Sequence, residues 1–396
     1  MFNAVWLNAD NVRKEYNDWD FSAEGRTRQA NRMKQLAQEA VDSNRIVVAD
    51  FICPTQKTRD NFNADYVIWM DTIKEGRFED TNQMFEEPKS PNFVVTHYDA
   101  EMWSFMIKND ITDHIIKNVD RPQRYGYLLK VCQMLEDISN RKLNINHKKL
   151  RSFAKNNILR DIASGSGFIT YNQFGSKTGR LTTAKKSFPI LTLKKDYRSI
   201  IEPVNDRFLE IDFNGAEARV LLGLLGRTQP DGDVHNFHRD EVFSGSLTRE
   251  ESKTSFFAWL YGAKSINDSK EGDVLKRFYD KDSVIDQYWN GSTVVTPLGK
   301  VIEGTNRHHA LNYIVQSTTA ELTLLQALKV DYLLRTRAKK SFISCIIHDS
   351  VVIDLSDEDH HLVGQIKTLM SSTKFGVFNI NISMGNSLGN LKRYEE

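Results

Sequence analysis

Hydrophobic and polar positions follow three different rhythms along this chain. Up to about residue 100, short β-rich runs at Ile46 to Phe51 (IVVADF), Tyr66 to Met70 (YVIWM) and Phe93 to Thr96 (FVVT) are separated by polar sequence, and Gly25 to Ser43 carries a helical period. Strands alternating with helices predict an α/β arrangement built on a parallel sheet. From Asn118 to Ile162 the pattern is helical: Leu128, Leu129, Val131, Leu135 and Ile138 fall on one stripe, and Leu143 to Ile158 forms a polar second pass. No repeat, low-complexity tract or Pro/Gly-rich linker marks a boundary here.

Beyond Gly165 strand and helix patterns alternate again. FITYNQFGSKTGRLTT, from Phe168 to Thr183, reads as a strand and a turn. The run RFLEIDFNGAEAR, Arg207 to Arg219, is apolar up to Asp212 and then turns into a helical segment carrying Glu217. Thr248 to Gly262, TREESKTSFFAWLYG, is a helix whose Thr248 and Glu251 have capping-box spacing and whose Gly262 is a natural stop. Finally, FISCIIHDSVVIDL, Phe342 to Leu355, is two β-rich runs around His348, Asp349 and Ser350, the pattern of a hairpin with an acid at its turn.

Composition narrows the class. With 396 residues, 40% of them hydrophobic, two or three domains with proper cores are expected. No apolar run approaches the length of a membrane span, and MFNAVWLNADNVRKE lacks the basic and apolar regions of a secretory signal. Cys53, Cys132 and Cys345 are odd in number and lack metal-ligand spacing, so reduced, mostly buried thiols in a cytoplasmic protein are expected. The net charge of +1 hides an asymmetry: residues 1–100 hold 12 Lys+Arg against 17 Asp+Glu, which leaves the rest at +6. A mildly basic larger part is compatible with a polyanionic partner, and equally with an ordinary surface.

Candidate chemistry gathers in the second part. Asp212 at a strand end and Asp349 at a hairpin turn are two carboxylates on rigid elements. If their strands lie side by side, they are spaced for a pair of divalent cations. Arg249, Lys253, Phe257 and Tyr261 recur every four residues, a slowly drifting stripe of two cations and two aromatics. A core face excludes the cations and a solvated face has no use for the aromatics, whereas a polyphosphate and a flat base together suit both. Lys177, Thr178, Arg180, Thr182 and Thr183 offer a fork and hydroxyls for sugar-phosphate contacts, or simply an exposed hairpin tip.

Two family resemblances follow. LNADNVRKEYNDWDFSAEGRTRQANRM, continued by ADFICPTQKTRDNF and YVIWMDTIKEGRFEDTNQMFEEP, resembles adenylylsulfate kinases and related P-loop small-molecule kinases over about residues 1–115. The resemblance implies that Asp10, Asn11, Arg13, Phe21, Arg26 and Arg32 match positions surrounding a nucleotide sulfate. The loop G-x-x-x-x-G-K-[ST] that cradles ATP phosphates occurs nowhere in the chain. This part is therefore expected to be a truncated kinase remnant, a gene fragment or internal start, unable alone to transfer phosphate.

From about residue 119 onward the chain closely resembles DNA polymerase family A, in phage-type style. The motifs are TGRL at Thr178–Leu181, D-x4-E at Asp212 and Glu217, R-x3-K-x7-Y-G from Arg249 to Gly262, N-x3-Q at Asn312 and Gln316, and His348-Asp349. The resemblance implies an α+β palm with an antiparallel sheet and helical fingers over 118–396, beside an α/β kinase-like fragment over 1–117. It also implies nucleotidyl transfer from dNTP to a primer 3′-hydroxyl on primer-template DNA. Asp212, Asp349 and the Phe213 carbonyl would hold two Mg²⁺ ions. Arg249 and Lys253 would clamp the triphosphate, with Lys253 protonating the leaving pyrophosphate. Phe257 and Tyr261 would stack on the nucleotide, and Glu217 would gate the sugar. Thr178, Arg180, Asn312, Gln316 and His348 would touch DNA.

Ser350 stands where many members have Glu, and about sixty residues before TGRL leave little room for a thumb. A separate exonuclease or processivity partner, and a phage or viral origin with action in a host cytoplasm, complete the expectation. Two alternatives stay open: an enzyme like the single-subunit RNA polymerases, against which Glu217 and Phe257 argue, and a weak or inactive DNA-binding remnant.

Overall fold

The computed structural model describes residues 4–42, 45–74, 76, 79–118, 121, 123–153, 162, 165 and 167–394. The chain forms two compact units, Met1–Pro122 and Gln123–Glu396, a division slightly beyond the 117/118 boundary expected from the two resemblances.

In the first unit β1 (Ala4–Asn8) runs parallel to β2 (Ile46–Asp50), with Trp6 opposite Val48. Between them α1 (Ala9–Glu15) starts where the Asn8 side chain accepts from the Asn11 amide, and α2 (Ala23–Asp42) is the helix predicted from the period. After α3 (Gln56–Phe62), a second parallel pair joins β3 (Ile68–Met70) to β4 (Phe93–Val95), with α4 (Glu79–Met84) between them and α5 (Ala100–Asn118) following. The expected parallel sheet is thus two separate pairs among the described residues. Strands of three to five residues bring too little edge to join, and Trp6 and Val48 are left 65% and 51% exposed.

The second unit centres on a five-stranded antiparallel sheet of order β12-β13-β9-β16-β17. Its middle strand is β9 (Arg207–Phe213), flanked by β13 (Ser350–Leu355) and β16 (Ile380–Gly385); β12 (Phe342–Ile347) and β17 (Lys392–Arg393) are the edges. The predicted stripe of residues 128–138 lies on α6 (Tyr125–Ser139), which buries Val131, Met134, Leu135 and Ile138. The polar second pass is not one helix. Asn144 and Ile145 form β5, antiparallel to β8 (Ile201–Glu202), and the Asn146 side chain caps a new short helix, α7 (His147–Ser152), by accepting from the Lys149 amide. Its remainder, residues 154–158, lies outside the described residues. TGRL follows β6 (Tyr171–Asn172) and leads into β7 (Thr182–Thr183), its antiparallel partner. The Tyr171 hydroxyl ties this ribbon to β12, donating to the Ile346 carbonyl at 2.6 Å and accepting from the Ile346 amide at 3.0 Å.

Two hydrophobic cores share this unit. One lies on the sheet; the other joins α8 (Ala216–Leu224), α9 (Val234–Phe237), α10 (Arg249–Leu260), α11 (Lys264–Asn267), α12 (Lys270–Tyr279) and α13 (Lys281–Tyr288). A short ribbon, β10 (Val294–Val295) and β11 (Val301–Ile302), lies beside the second core. The 31-residue α14 (Arg307–Arg337) serves both: Ala310, Leu311, Ile314 and Val315 enter the helical core, and Leu322 to Leu334 enter the sheet core. After β13 come α15 (Val363–Ser371) and the small hairpin of β14 (Ser372–Thr373) and β15 (Gly376–Val377). Both α8 and α14 therefore lock the helical lobe to the sheet, and the groups of interest lie along that seam.

All three cysteines are free, and only Cys345 is buried; Cys53 is half-buried and Cys132 exposed, contrary to the expectation that most are buried. Among the described residues no helix is long and apolar enough to cross a membrane.

Candidate active site

The site begins with strand register. In the β13–β9 ladder Ser350 lies opposite Asp212, so Asp349, one residue before it in the hairpin turn, is brought beside the end of β9. The turn His348–Asp349 has a positive φ at its first residue only (His348, +56°), the sign pattern of a type II′ turn, where glycine is usual. A histidine held there stores about 1–3 kcal/mol of backbone strain, which the two flanking apolar strands impose.

Alternation on β9 turns Ile211 and Phe213 into the core and leaves Asp212 half-buried, on the same face as Glu210. Burial pushes the Asp212 carboxyl up to about 7, and the neighbouring charges of Asp349 and Glu210 push the same way; the Asn381 amide, 3.4 Å away, and Lys253 oppose them. Burial also raises Asp349, against its own backbone amide and the charges of Arg180, His348 and Lys253. Two desolvated like charges side by side favour any cation that arrives. The Phe213 ring packs edge-on against Phe378, so only its backbone is available to the site.

Opposite stands α10. Its capping box is present as the sequence predicts, and Gly262 ends it with φ +76°. The stripe is present too. Lys253 is exposed and close enough to Asp212 and Asp349 to influence both. The Phe257 and Tyr261 rings stack with centroids 5.9 Å apart. Arg249 differs from expectation: it is already engaged. Its Nε and Nη2 donate to Asp233 at 3.1 and 2.7 Å, and it also pairs with Glu250. Asp233 in turn caps α9 by accepting from the His235 and Asn236 amides and takes a hydrogen bond from Asn214. The loop carrying Asp233 is held by buried Arg219, which donates to the carbonyls of Asn214, Pro230 and Gly232.

Glu217, in the first turn of α8, is 5% exposed and doubly held: Arg180 donates to one oxygen at 2.5 Å and the Tyr261 hydroxyl to the other at 2.7 Å. Burial raises its carboxyl, and burial and Glu217 together push Tyr261 up to about 12. This contact joins the TGRL turn, α8 and α10 in one polar cluster. Arg180, His348 and Asp349 line a single cleft with Thr319 and Thr323 of α14. Asn312 and Gln316 lie on the same helix one to two turns earlier, and the Asn312 Oδ1 is buried with no hydrogen-bond partner. Thr178 is buried in the turn.

Two residues were missed from sequence. Asp233 engages Arg249 from a loop 16 positions away. His235 is buried, with its ring 5.8 Å from Phe257, its Nδ1 unpartnered and its pKa lowered by burial to about 4. Asp233 is the N-cap of α9, and nothing in the sequence around it points it at α10.

In the first unit the nominated residues do different work. Arg13 is buried, donates to the carbonyls of Asp18 and Asp20, and lies over Phe21, 4.7 Å from its centroid. Arg32 bonds Gln29 and Asp18, and Arg26 pairs with Asp80. Asp10 and Asn11 are exposed at the start of α1, and Phe21 is 52% exposed.

The site thus brings two partly desolvated carboxylates, Asp212 and Asp349, within the electrostatic reach of Lys253 on a helix that also carries stacked Phe257 and Tyr261. Comparison with known proteins gives the neighbourhood. Residues 2–68 match the adenylylsulphate kinase family; residues 69–115, expected to continue that resemblance, lie outside the match. The chain is 22% identical to DNA polymerase I of Caldicellulosiruptor bescii over 249 residues, 52% of this chain and 29% of that protein. It is 22% identical to DNA polymerase I of Aquifex aeolicus over 276 residues, 60% of this chain and 48% of that protein. The chain thus spans less than half the length of both curated relatives. Among solved structures it is similar to the POL domain of Pol1 from M. smegmatis in complex with DNA primer-template and dNTP, with a TM-score of 0.49 and 15% identity, covering 96% of this chain and 66% of that one.

Proposed function

We propose that the second unit is a template-directed DNA polymerase, which joins the nucleotidyl group of a dNTP to a primer 3′-hydroxyl and releases pyrophosphate. The observation that carries this reading is the register of Ser350 opposite Asp212, which sets two desolvated carboxylates together under Lys253. Similarity to two bacterial DNA polymerases I supports it.

Hard oxygen donors suit magnesium, and Asp212, Asp349 and the Phe213 carbonyl would hold two Mg²⁺ ions. No group of three His, Cys, Asp or Glu among the described residues completes a metal cage, so the remaining ligands would come from substrate and water. Bound there, the ions would supply charge neutralisation of the triphosphate and a more acidic 3′-hydroxyl.

The chain's own groups do the rest. Lys253 meets the triphosphate as a point charge and gives its proton to the departing pyrophosphate. Arg249 exchanges Asp233 for phosphate oxygens that its fork fits equally well. Phe257 and Tyr261 offer flat faces to base and sugar. The Glu217–Tyr261 hydrogen bond makes a rigid wall on which a 2′-hydroxyl has no room, which favours dNTP over NTP and separates this reading from an RNA polymerase. Thr178, Arg180, His348, Asn312 and Gln316 line the primer terminus and minor-groove edges, where contacts read shape more than sequence.

Primer extension with Mg²⁺ tests this. The wild type extends a primer-template and Asp349→Ala does not. No extension by the wild type, or undiminished extension by Asp349→Ala, overturns the proposal.

A further inference from the structure

The helix α10 has two working faces. One carries Arg249, Lys253, Phe257 and Tyr261 to the site. The other buries Ser252, Phe256, Trp259 and Leu260 in the helical core. Residues one apart on a helix point about 100° apart, so whatever fixes Phe256 and Trp259 also fixes where Lys253 and Phe257 point.

The inner face is held by an aromatic cluster. The His238 ring stacks on Phe256 with centroids 4.7 Å apart at 27°, and the Tyr279 ring lies 5.5 Å from both Phe256 and Trp259. Both His238 and Tyr279 are fully buried. Ring contacts of this kind are weakly directional, and a cluster of them alone allows a helix to roll or slide. One directional bond runs through it: His238 Nε2 and the Tyr279 hydroxyl are 2.5 Å apart, and either donates according to the histidine tautomer. It joins α12 to the segment after α9.

That segment is itself unusual. His238–Val242 is a π-turn, closed by the Phe243 amide donating to the His238 carbonyl at 2.9 Å. Such turns are rare and concentrate at functional sites. His235 and His238, three residues apart, engage the adjacent rings of α10: His235 lies against Phe257 and His238 against Phe256. His235 also lies close to the turn linking Asp212 to Glu217, because a Cβ on Gly215 would meet its Nε2 at 3.5 Å. The two histidines therefore register α10 against the strand that carries Asp212.

We propose that His238 and Tyr279 are positioning residues. Their hydrogen bond sets the rotation of α10, and through it the spacing of Lys253 and Phe257 from Asp212 and Asp349, so that it governs nucleoside triphosphate affinity without touching the nucleotide. This inference rests on the polymerase reading above. Neither residue contacts the reacting atoms.

The test compares Tyr279→Phe, which removes one hydroxyl, His238→Phe, which keeps a stacking ring and removes the bond, and His238→Gln, whose amide can reach the Tyr279 hydroxyl. Steady-state primer extension and magnesium-dATP binding, read by tryptophan fluorescence, are measured beside thermal melts. We expect KM for dNTP and the Kd for magnesium-dATP to rise about fivefold in both Phe variants, with kcat within about twofold. The double Phe variant should be no worse than either single one, because the two residues act as a unit. His238→Gln should recover most of the affinity.

A lower melting temperature with KM and Kd unchanged in the folded enzyme overturns the positioning role and leaves the polymerase reading intact. Absence of extension by the wild type overturns the polymerase reading, and absence of magnesium-dATP binding as well overturns the inference with it. If the wild type binds dATP without turnover, the Kd comparison alone decides.

Discussion

The two units treat their charges in opposite ways. In the first, the arginines that the kinase resemblance nominates are occupied: Arg13 by two backbone carbonyls and the Phe21 ring, Arg32 by Gln29 and Asp18, Arg26 by Asp80. In the second, the polar groups along the seam are left in tension. Asp212 and Asp349 are half-buried beside each other, exposed Lys253 has no ion pair among the described residues, and the Asn312 Oδ1 and His235 Nδ1 are buried with no hydrogen-bond partner among them. A fold that has spent its polarity internally has little left with which to bind. One that holds like charges together stores an electrostatic debt that a ligand discharges, and that is a better pointer to a site than charge content.

The sharpest way to break this contrast is Asp212→Asn. If the carboxylate pair serves function at the expense of stability, primer extension should fall by about 10³-fold or more while the melting temperature, measured without divalent metal at pH 8, rises. Removing one of two half-buried like charges stabilises by about 1 kcal/mol. A variant that loses both stability and activity would make Asp212 an ordinary structural acid and dissolve the distinction between the units.

Glu217→Ala comes next. Glu217 is held on both oxygens, by Arg180 and Tyr261, so it belongs to the wall and not to the unneutralised pair. Its removal should keep dNTP incorporation within about tenfold of wild type and raise NTP use relative to dNTP by about 10–100-fold. Competition between dATP and ATP on one template position measures the ratio, and an unchanged ratio would leave Glu217 only a structural tie between α8 and α10.

Much of this seam was legible beforehand, for local reasons. The hairpin around His348-Asp349, the capping box of α10 and the strand ending at Asp212 each follow from residues within a few positions of one another. What escaped notice was non-local. Asp233 occupies Arg249 because a loop pinned by Arg219 folds back 16 residues, and no periodicity encodes that. The α14 helix enters one core with its first half and another with its second, and buries polar Ser317, Thr318, Thr319, Glu321, Thr323 and Gln326 as well, so its pattern shows no single stripe. In the first unit three of the described strands were found, but β1 and the pairing were not, since runs of three to five residues carry no record of their neighbours. The resemblance nominated Arg13, Arg26 and Arg32, and the structure shows each already engaged by groups of the chain itself.

The smallest effect tests the other side of the comparison. Arg32 donates to Gln29 at 2.6 Å and to Asp18 at 2.9 Å and lies over the Tyr16 ring, while Asp18 keeps Arg28 as a second partner. Arg32→Ala should therefore leave primer extension unchanged and lower the melting temperature of the first unit by only about 2–4 °C, because Asp18 retains Arg28. The pH dependence gives the sign. Arg28 first and Arg32 second hold the Asp18 carboxyl well below its ordinary range, so their contribution is present above the unfolded carboxyl pKa of about 4 and is lost as pH falls through the folded value. The variant should then differ from wild type at pH 7 and converge with it on acidification. If Arg32→Ala weakened binding of adenylylsulfate while leaving the melting temperature and its pH dependence untouched, Arg32 would be free for a ligand after all, and the first unit would have to be read as a site in its own right.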